Sequence, residues 1–177
     1  MKTKLPLYLA LLLLTQCSKC KTDDPAPVAP NPVDALPPAT QPGQRTFGCL
    51  LNGQPWTQSE NPFSGQIFST QYFSGNLLIS CPGVSKQGQA NTYQHIRFEL
   101  DSVYMVGVYN IDGLRNKTLK LMGTNCTWEA SSALPATLQL TRFDLVNRIV
   151  SGTFSFTLEK PGCGRVVVTD GRFDSRF

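Results

Sequence analysis

Histidine is almost missing from this sequence. His95 stands alone, which excludes a metal centre or proton relay built from several imidazoles. Charge is scarce too: charged types make up 16% of the 177 residues, against about 25% in an ordinary soluble domain. The formal net charge of +4 is too mild to give nucleic-acid binding an electrostatic footprint. No apolar run reaches the ~20 residues that a membrane-spanning helix needs. No stretch sustains a helical period, and no internal repeat is visible. The sequence also lacks a nucleophile elbow, a His-Glu-x-x-His pair, a phosphate loop and a dinucleotide fingerprint, so no cofactor is implied.

What is present begins with an address. Lys2 and Lys4 precede the apolar run Leu5–Leu14, the layout of a secretory signal peptide. Leu14-Thr15-Gln16-Cys17 resembles a bacterial lipobox, with Gln16 where a small residue is usual. Residues 1–16 are therefore expected to be removed, and Cys17 to carry lipid as the first mature residue. Two or three acyl chains anchor stably where one holds only marginally. Lys21-Thr22-Asp23-Asp24 resembles the surface-export signal of Bacteroidota lipoproteins.

Between positions 21 and 44 lie Pro25, Pro27, Pro30, Pro32, Pro37, Pro38 and Pro42, out of thirteen prolines in all. Such a segment reads as an extended spacer with little to bury, and residues 17–44 are expected to be a disordered tether. One domain over 45–177 follows.

Its signals are all β. The stretches 46–51, 65–73, 76–80, 93–100, 103–110, 117–122, 137–143, 148–158, 165–169 and 172–177 read as strands divided by Gly, Asn, Asp and Pro. Val150, Gly152, Phe154, Phe156 and Leu158 alternate with Ile149, Ser151, Thr153, Ser155 and Thr157, as a half-buried antiparallel strand requires. Gly152 on the apolar face either leaves room for a neighbouring aromatic or marks a bend. The expected fold is all-β, an antiparallel, meander-rich β-sandwich or flattened β-barrel of about 8–10 strands. An integral outer-membrane barrel is excluded, because no continuous lipid-facing row exists.

Six cysteines in an exported chain point to disulfides. Cys17 goes to lipid, and Cys20 is the odd one out. If strands 137–143 and 148–158 form a hairpin turning at 144–147, Cys126 and Cys163 both fall near its open end and pair. Cys49 and Cys81 then pair by elimination. The wide spacing of these four does not suit a Cys₄ zinc site.

Alternation places Tyr93, His95, Arg97, Glu99 and Asp101 on one face of a strand, a polar row able to meet a sugar or an acidic ligand. The ordinary reading of that row is a solvated strand face. Glu99 and Asp101, two residues apart on that face, are close enough to suit the carboxylate pair of glycoside hydrolysis. Trp56 and Trp128 are candidate stacking surfaces for carbohydrate, although such aromatics more often fill cores.

The phrases Thr46-Phe-Gly-Cys-Leu-Leu-Asn-Gly-Gln-Pro-Trp56, Leu140-Thr-Arg-Phe-Asp144, Ile149-Val-Ser-Gly-Thr-Phe-Ser-Phe-Thr-Leu158, Lys160-Pro-Gly-Cys163 and Asp170-Gly-Arg-Phe-Asp174 frame most of residues 45–177. In them the chain resembles a small lipoprotein family of Bacteroidota, found in Hymenobacter-like and Spirosoma-like genera, for which no activity is established. The resemblance implies an all-β domain on a lipid anchor at the cell envelope and transfers no catalytic residue. The functional expectation is a non-enzymatic lipoprotein of the outer membrane that binds a carbohydrate or an envelope protein. The alternative is a structural part of an envelope complex. A carboxylate-dependent hydrolase comes last.

Overall fold

Apolar residues that alternate with Ser and Thr need one face covered and leave the other wet, and the whole architecture follows from that. The computed structural model describes residues 31–59, 67–87, 90–114 and 116–177. The expected signal peptide, the lipidation site Cys17, the unassigned Cys20 and the start of the tether lie outside the described residues.

Among the described residues eleven strands make one antiparallel sheet: β1 (Thr46–Leu51), β2 (Gln54–Gln58), β3 (Ser69–Phe73), β4 (Asn76–Gln87), β5 (Ala90–Leu100), β6 (Gly107–Asn110), β7 (Lys117–Met122), β8 (Thr127–Glu129), β9 (Ala136–Asp144), β10 (Ile149–Lys160) and β11 (Gly164–Arg176). Their order is β6-β9-β10-β11-β1-β2-β4-β5-β7-β8, with β3 pairing β4 off this path. The all-β expectation holds. The two sandwich layers turn out to be parts of a single open sheet.

That sheet curls over itself. β5 and β10 are five steps apart in the strand order, about 24 Å across a flat sheet at ~4.8 Å per step. Yet the rings of Phe98 on β5 and Phe154 on β10 lie 5.2 Å apart, edge to face. Phe98 also meets Phe156 at 6.2 Å. Phe47 on β1 sits at the centre, 4.9 Å from Phe154, 5.5 Å from Phe68 and 5.8 Å from Trp56. Burying side chains of this size contributes about 1.5–3 kcal/mol each, the largest stabilising term available to the fold.

The apolar face of β10 reads as expected, while Ile149, Ser151 and Thr157 on the face expected to be wet are buried as well. Val150, Gly152, Phe154, Phe156 and Leu158 are buried, and Thr153 and Ser155 are exposed. A Cβ on Gly152 would collide first with the Gln139 carbonyl oxygen of β9 and would stand 2.9 Å from Cε1 of Phe173, so the glycine makes room for the neighbouring backbone as well as for an aromatic. The hairpin register differs slightly from expectation. The turn spans 145–148, so Ile149 faces Asp144, and a bulge between Arg142 and Leu140 shifts the pairing by one. Asp144 accepts hydrogen bonds from the backbone N–H of Asn147 and from its side chain, closing that turn.

Three other expectations change. Asp170-Gly171, read as a turn, is an irregularity inside the long strand β11, where Phe154 faces Gly171 and Phe156 faces Val168. A Cβ at Gly171 would collide with the Phe154 ring, so the strand bends there instead of ending. The strand expected over 103–110 shortens to β6, which pairs with β9 while β5 pairs with β7. The short strands β2 and β8 carry little alternation and were not expected.

The boundary of the domain also moves. Residues 36–44, expected as tether, form a strap on the sheet. Leu36 is buried, and Pro37 packs where a Cβ of Gly48 would otherwise stand. Asp174 on β11, wholly buried, anchors the strap. Its carboxylate accepts from Thr40 Oγ1 (2.8 Å), the Gly43 N–H (2.8 Å), the Gln44 N–H (3.0 Å) and Ser151 Oγ (2.7 Å). Arg142 and Arg176 donate to the carbonyls of Gln41 and Pro42 beside it. Burial alone would raise the Asp174 pKa. The hydrogen bonds led by the Gln44 N–H outweigh it and hold the group below its ordinary value.

A depressed folded pKa means that the stability this carboxylate confers is present above the unfolded Asp value of about 3.9 and is lost as pH falls through the folded value. Asp174→Asn, which keeps the shape but loses the charge and one acceptor, should cost about 3 kcal/mol in urea unfolding at pH 7. Below the folded pKa the gap to the native protein should close. Equal stability at pH 7 would show that the strap does not depend on this carboxylate.

Candidate ligand-binding site

The polar row expected on β5 exists. Ile96, Phe98 and Leu100 are buried, while Tyr93, His95, Arg97 and Glu99 stand half-buried on the outer face. The row is not one site. Arg97 Nε donates to Glu99 Oε1 at 2.6 Å, and the two side chains are 42% and 46% exposed. A pair that exposed contributes about 0–1 kcal/mol, and it neutralises both charges. Next to it, Lys120 on β7 pairs with Glu129 on β8 at 2.9 Å. Glu99 and Asp101 border a separate depression near the other end of β4 and β5, with Asn76 and Asn116.

His95 sits further along. Its Nε2 lies 2.7 Å from Ser80 Oγ on β4. Burial first, and then the positive charge of Arg97, lower the His95 pKa below 6.5, so the ring is neutral at pH 7. A hydroxyl beside a neutral imidazole is the start of a nucleophilic pair. Ser80 faces Arg97 and Pro82 faces His95 within the β4–β5 ladder, which engages the backbone around the pair.

The depression beside His95 arises from a mismatch of strand lengths. β7 ends at Met122, opposite His95, while β5 continues back to Ala90. Beyond that point β5 loses its neighbour, and a gap of about 280 Å³ opens. Tyr93, Gln94 and His95 line it from β5, Pro82 from β4, and Met122 and Gly123 from β7 and the chain leaving it. Gln94 was not singled out from sequence because alternation puts it on the inner face. Its Oε1 is buried with no hydrogen-bond partner.

The two tryptophans do not offer stacking surfaces. Trp56 is 0% exposed, packed on Phe47 and over Gly83. Trp128, 9% exposed, donates from Nε1 to the Gly164 carbonyl at 3.0 Å and ties the edge strand β8 to the β10–β11 turn. Their composition signal was that of core residues, and the core is where they lie.

The cysteines divide. Cys126 and Cys163 are bonded, with Cα atoms 6.1 Å apart, and the bridge fastens β8 to the same turn. Its span of 37 residues corresponds to about 4 kcal/mol by chain-entropy reasoning. The pairing of Cys49 with Cys81 is corrected: both are free, buried thiols. They sit on β1 and β4 with β2 between them, and Cys81 Sγ donates to the Pro82 carbonyl at 3.4 Å. Elimination counted cysteines but took no account of the intervening strand. Burial pushes both thiols far above the ordinary range, and the neighbouring Cys49 adds to the effect on Cys81. Thiols so disposed are inert.

No family model, curated protein or solved structure matches the chain. The site therefore rests on its own geometry.

Alkylation mapped by mass spectrometry checks the cysteine assignment. Cys49 and Cys81 should label only after denaturation, without reductant. Cys126 and Cys163 should need reductant as well. Reductant-dependent labelling at residue 49 or 81 would restore the second bridge.

Proposed function

We propose that the protein is an envelope-anchored lipoprotein whose β domain binds a ligand outside the membrane without transforming it. The gap at the end of β7 carries this reading. It combines an aromatic, an imidazole and the apolar side chains of Pro82 and Met122 where β5 runs on past the end of β7. Recognition needs such groups, and catalysis would need an oxyanion hole or a free carboxylate pair besides. The anchoring half of the proposal comes from the lipobox-like run ending at Cys17 and from the family resemblance.

A second reading, a structural part of an envelope complex, is favoured by the edge strand β6. Tyr104, Met105, Val106 and Val108 are all more than half exposed there, next to a sheet edge that has β9 on one side only. Edges of this kind accept a partner strand.

Anchoring is tested by Cys17→Ala. The native protein should sediment with membranes, and the variant should remain in the soluble fraction. A variant that still sediments removes the lipid anchor from the proposal.

A further inference from the structure

Exposed apolar side chains gather at one end of the domain. Three connections lie there: the β3–β4 turn, the chain leaving β5 and the β9–β10 turn. Tyr72 draws them together. Its ring lies 5.0 Å from that of Phe143 and 5.3 Å from that of Phe177, and its hydroxyl donates to the Val103 carbonyl at 2.9 Å. The Val103 N–H donates to the Gly75 carbonyl at 2.9 Å, and the Tyr104 ring packs where a Cβ of Gly75 would stand.

From this frame project Phe73, Tyr104, Met105, Val106, Leu145 and Val146, each more than half exposed. Phe73 is 82% exposed and Val146 91%. These are six of the ten large apolar side chains exposed among the described residues, so the concentration lies at this end.

Clusters of this kind mark contact with a protein or a membrane. Two observations favour the membrane. First, the six side chains stand on three separate connections. A protein partner would need a surface shaped to all three tips, whereas a fluid acyl phase conforms to any of them. Second, polar groups of these turns are already paired. Asp144 is engaged by Arg142 and by the backbone and side-chain N–H groups of Asn147. The Phe73 carbonyl accepts from Asn76 Nδ2, and the Arg148 carbonyl accepts from the Phe177 N–H. Groups paired in this way lose less on leaving water.

The chain outside the described residues has the reach. Asn31 lies fourteen residues after Cys17, a span of at most about 50 Å. A compact domain of about 150 residues is roughly 40 Å across. A chain fixed at Cys17 therefore lets any end of the domain touch the bilayer, and fixing it there raises the effective concentration of that surface.

We propose that this end of the domain rests on a phospholipid bilayer, with Phe73, Tyr104–Val106 and Leu145–Val146 dipping into the boundary between headgroups and acyl chains. The contact rests on the lipid anchor at Cys17 proposed above. Without the anchor the effective concentration is lost, and six side chains hold the chain too weakly to sediment it. Cys17→Ala is therefore still expected in the soluble fraction.

Tryptophan quenching by brominated acyl chains tests this, with the full-length acylated protein in phosphatidylcholine vesicles. Trp56 and Trp128 are buried and should keep their emission. Phe73→Trp and Val146→Trp should each lose most of the emission of the added ring when the acyl chains carry bromine. Glu159→Trp, near the other end of β10, should lose none. Thermal unfolding confirms that each variant folds, and if one tip variant does not, the other decides. Flotation of the vesicles reports the anchor separately. Vesicles that carry the protein while residues 73 and 146 stay bright overturn the bilayer contact and leave the anchor standing. If those residues are also shielded from aqueous acrylamide, a second copy covers this end instead. Equal quenching at 73, 146 and 159 overturns the contact too, because the domain then presents no particular end. A chain that does not float with the vesicles overturns the anchor and the contact together.

Discussion

A single sheet with one apolar face has nothing to bury that face against except itself. This constraint shapes the protein. Phe98 and Phe154 come from strands five steps apart in the sheet order, and they meet because the sheet must curl to hide them. The local irregularities serve that curvature. Gly152 yields to Phe173, Gly171 yields to Phe154, and β11 bends in mid-course instead of stopping. A flat sheet of the same composition would expose the rings and lose the hydrophobic term that holds the fold together.

The path through the curled open sheet ends at β8 and at β6, and the chain treats these two edges differently. The β8 edge is drawn in by the Cys126–Cys163 bridge and by the hydrogen bond from Trp128 to Gly164. The β6 edge carries no such fastening in the described residues, and its flanking side chains stay apolar and exposed. The gap at β7 has a related origin. Neighbouring strands of unequal length uncover part of the longer one, and here the uncovered part bears Tyr93 and Gln94. The gap follows from β7 ending at Met122.

Much of this was legible in the residues. The alternation in Ile149–Lys160 fixed its buried face, and the hairpin arithmetic brought Cys126 to Cys163 even though the turn lies one residue later than expected. The tether boundary was not legible, because proline content describes how a segment behaves alone. It says nothing of an aspartate 130 residues away that can hold it. The Cys49–Cys81 pairing failed for a similar reason. Pairing by elimination presumes that every exported thiol finds a partner, and a fully buried thiol needs none. Gln94 was passed over because an amide on the inner face of a strand looks like an exception to alternation. Its unpaired oxygen is visible only in three dimensions.

The strap has a mechanical side. Thr40, Gly43 and Gln44 are all fastened to one carboxylate immediately before β1 begins. A pull arriving along the backbone from the N-terminal direction is therefore taken by Asp174, deep in β11, before it reaches the first rung of the β1 ladder. β11 lies between β1 and β10, near the middle of the sheet. Tension is thus handed to an interior strand, and peeling from the N-terminal end cannot start until that grip gives way.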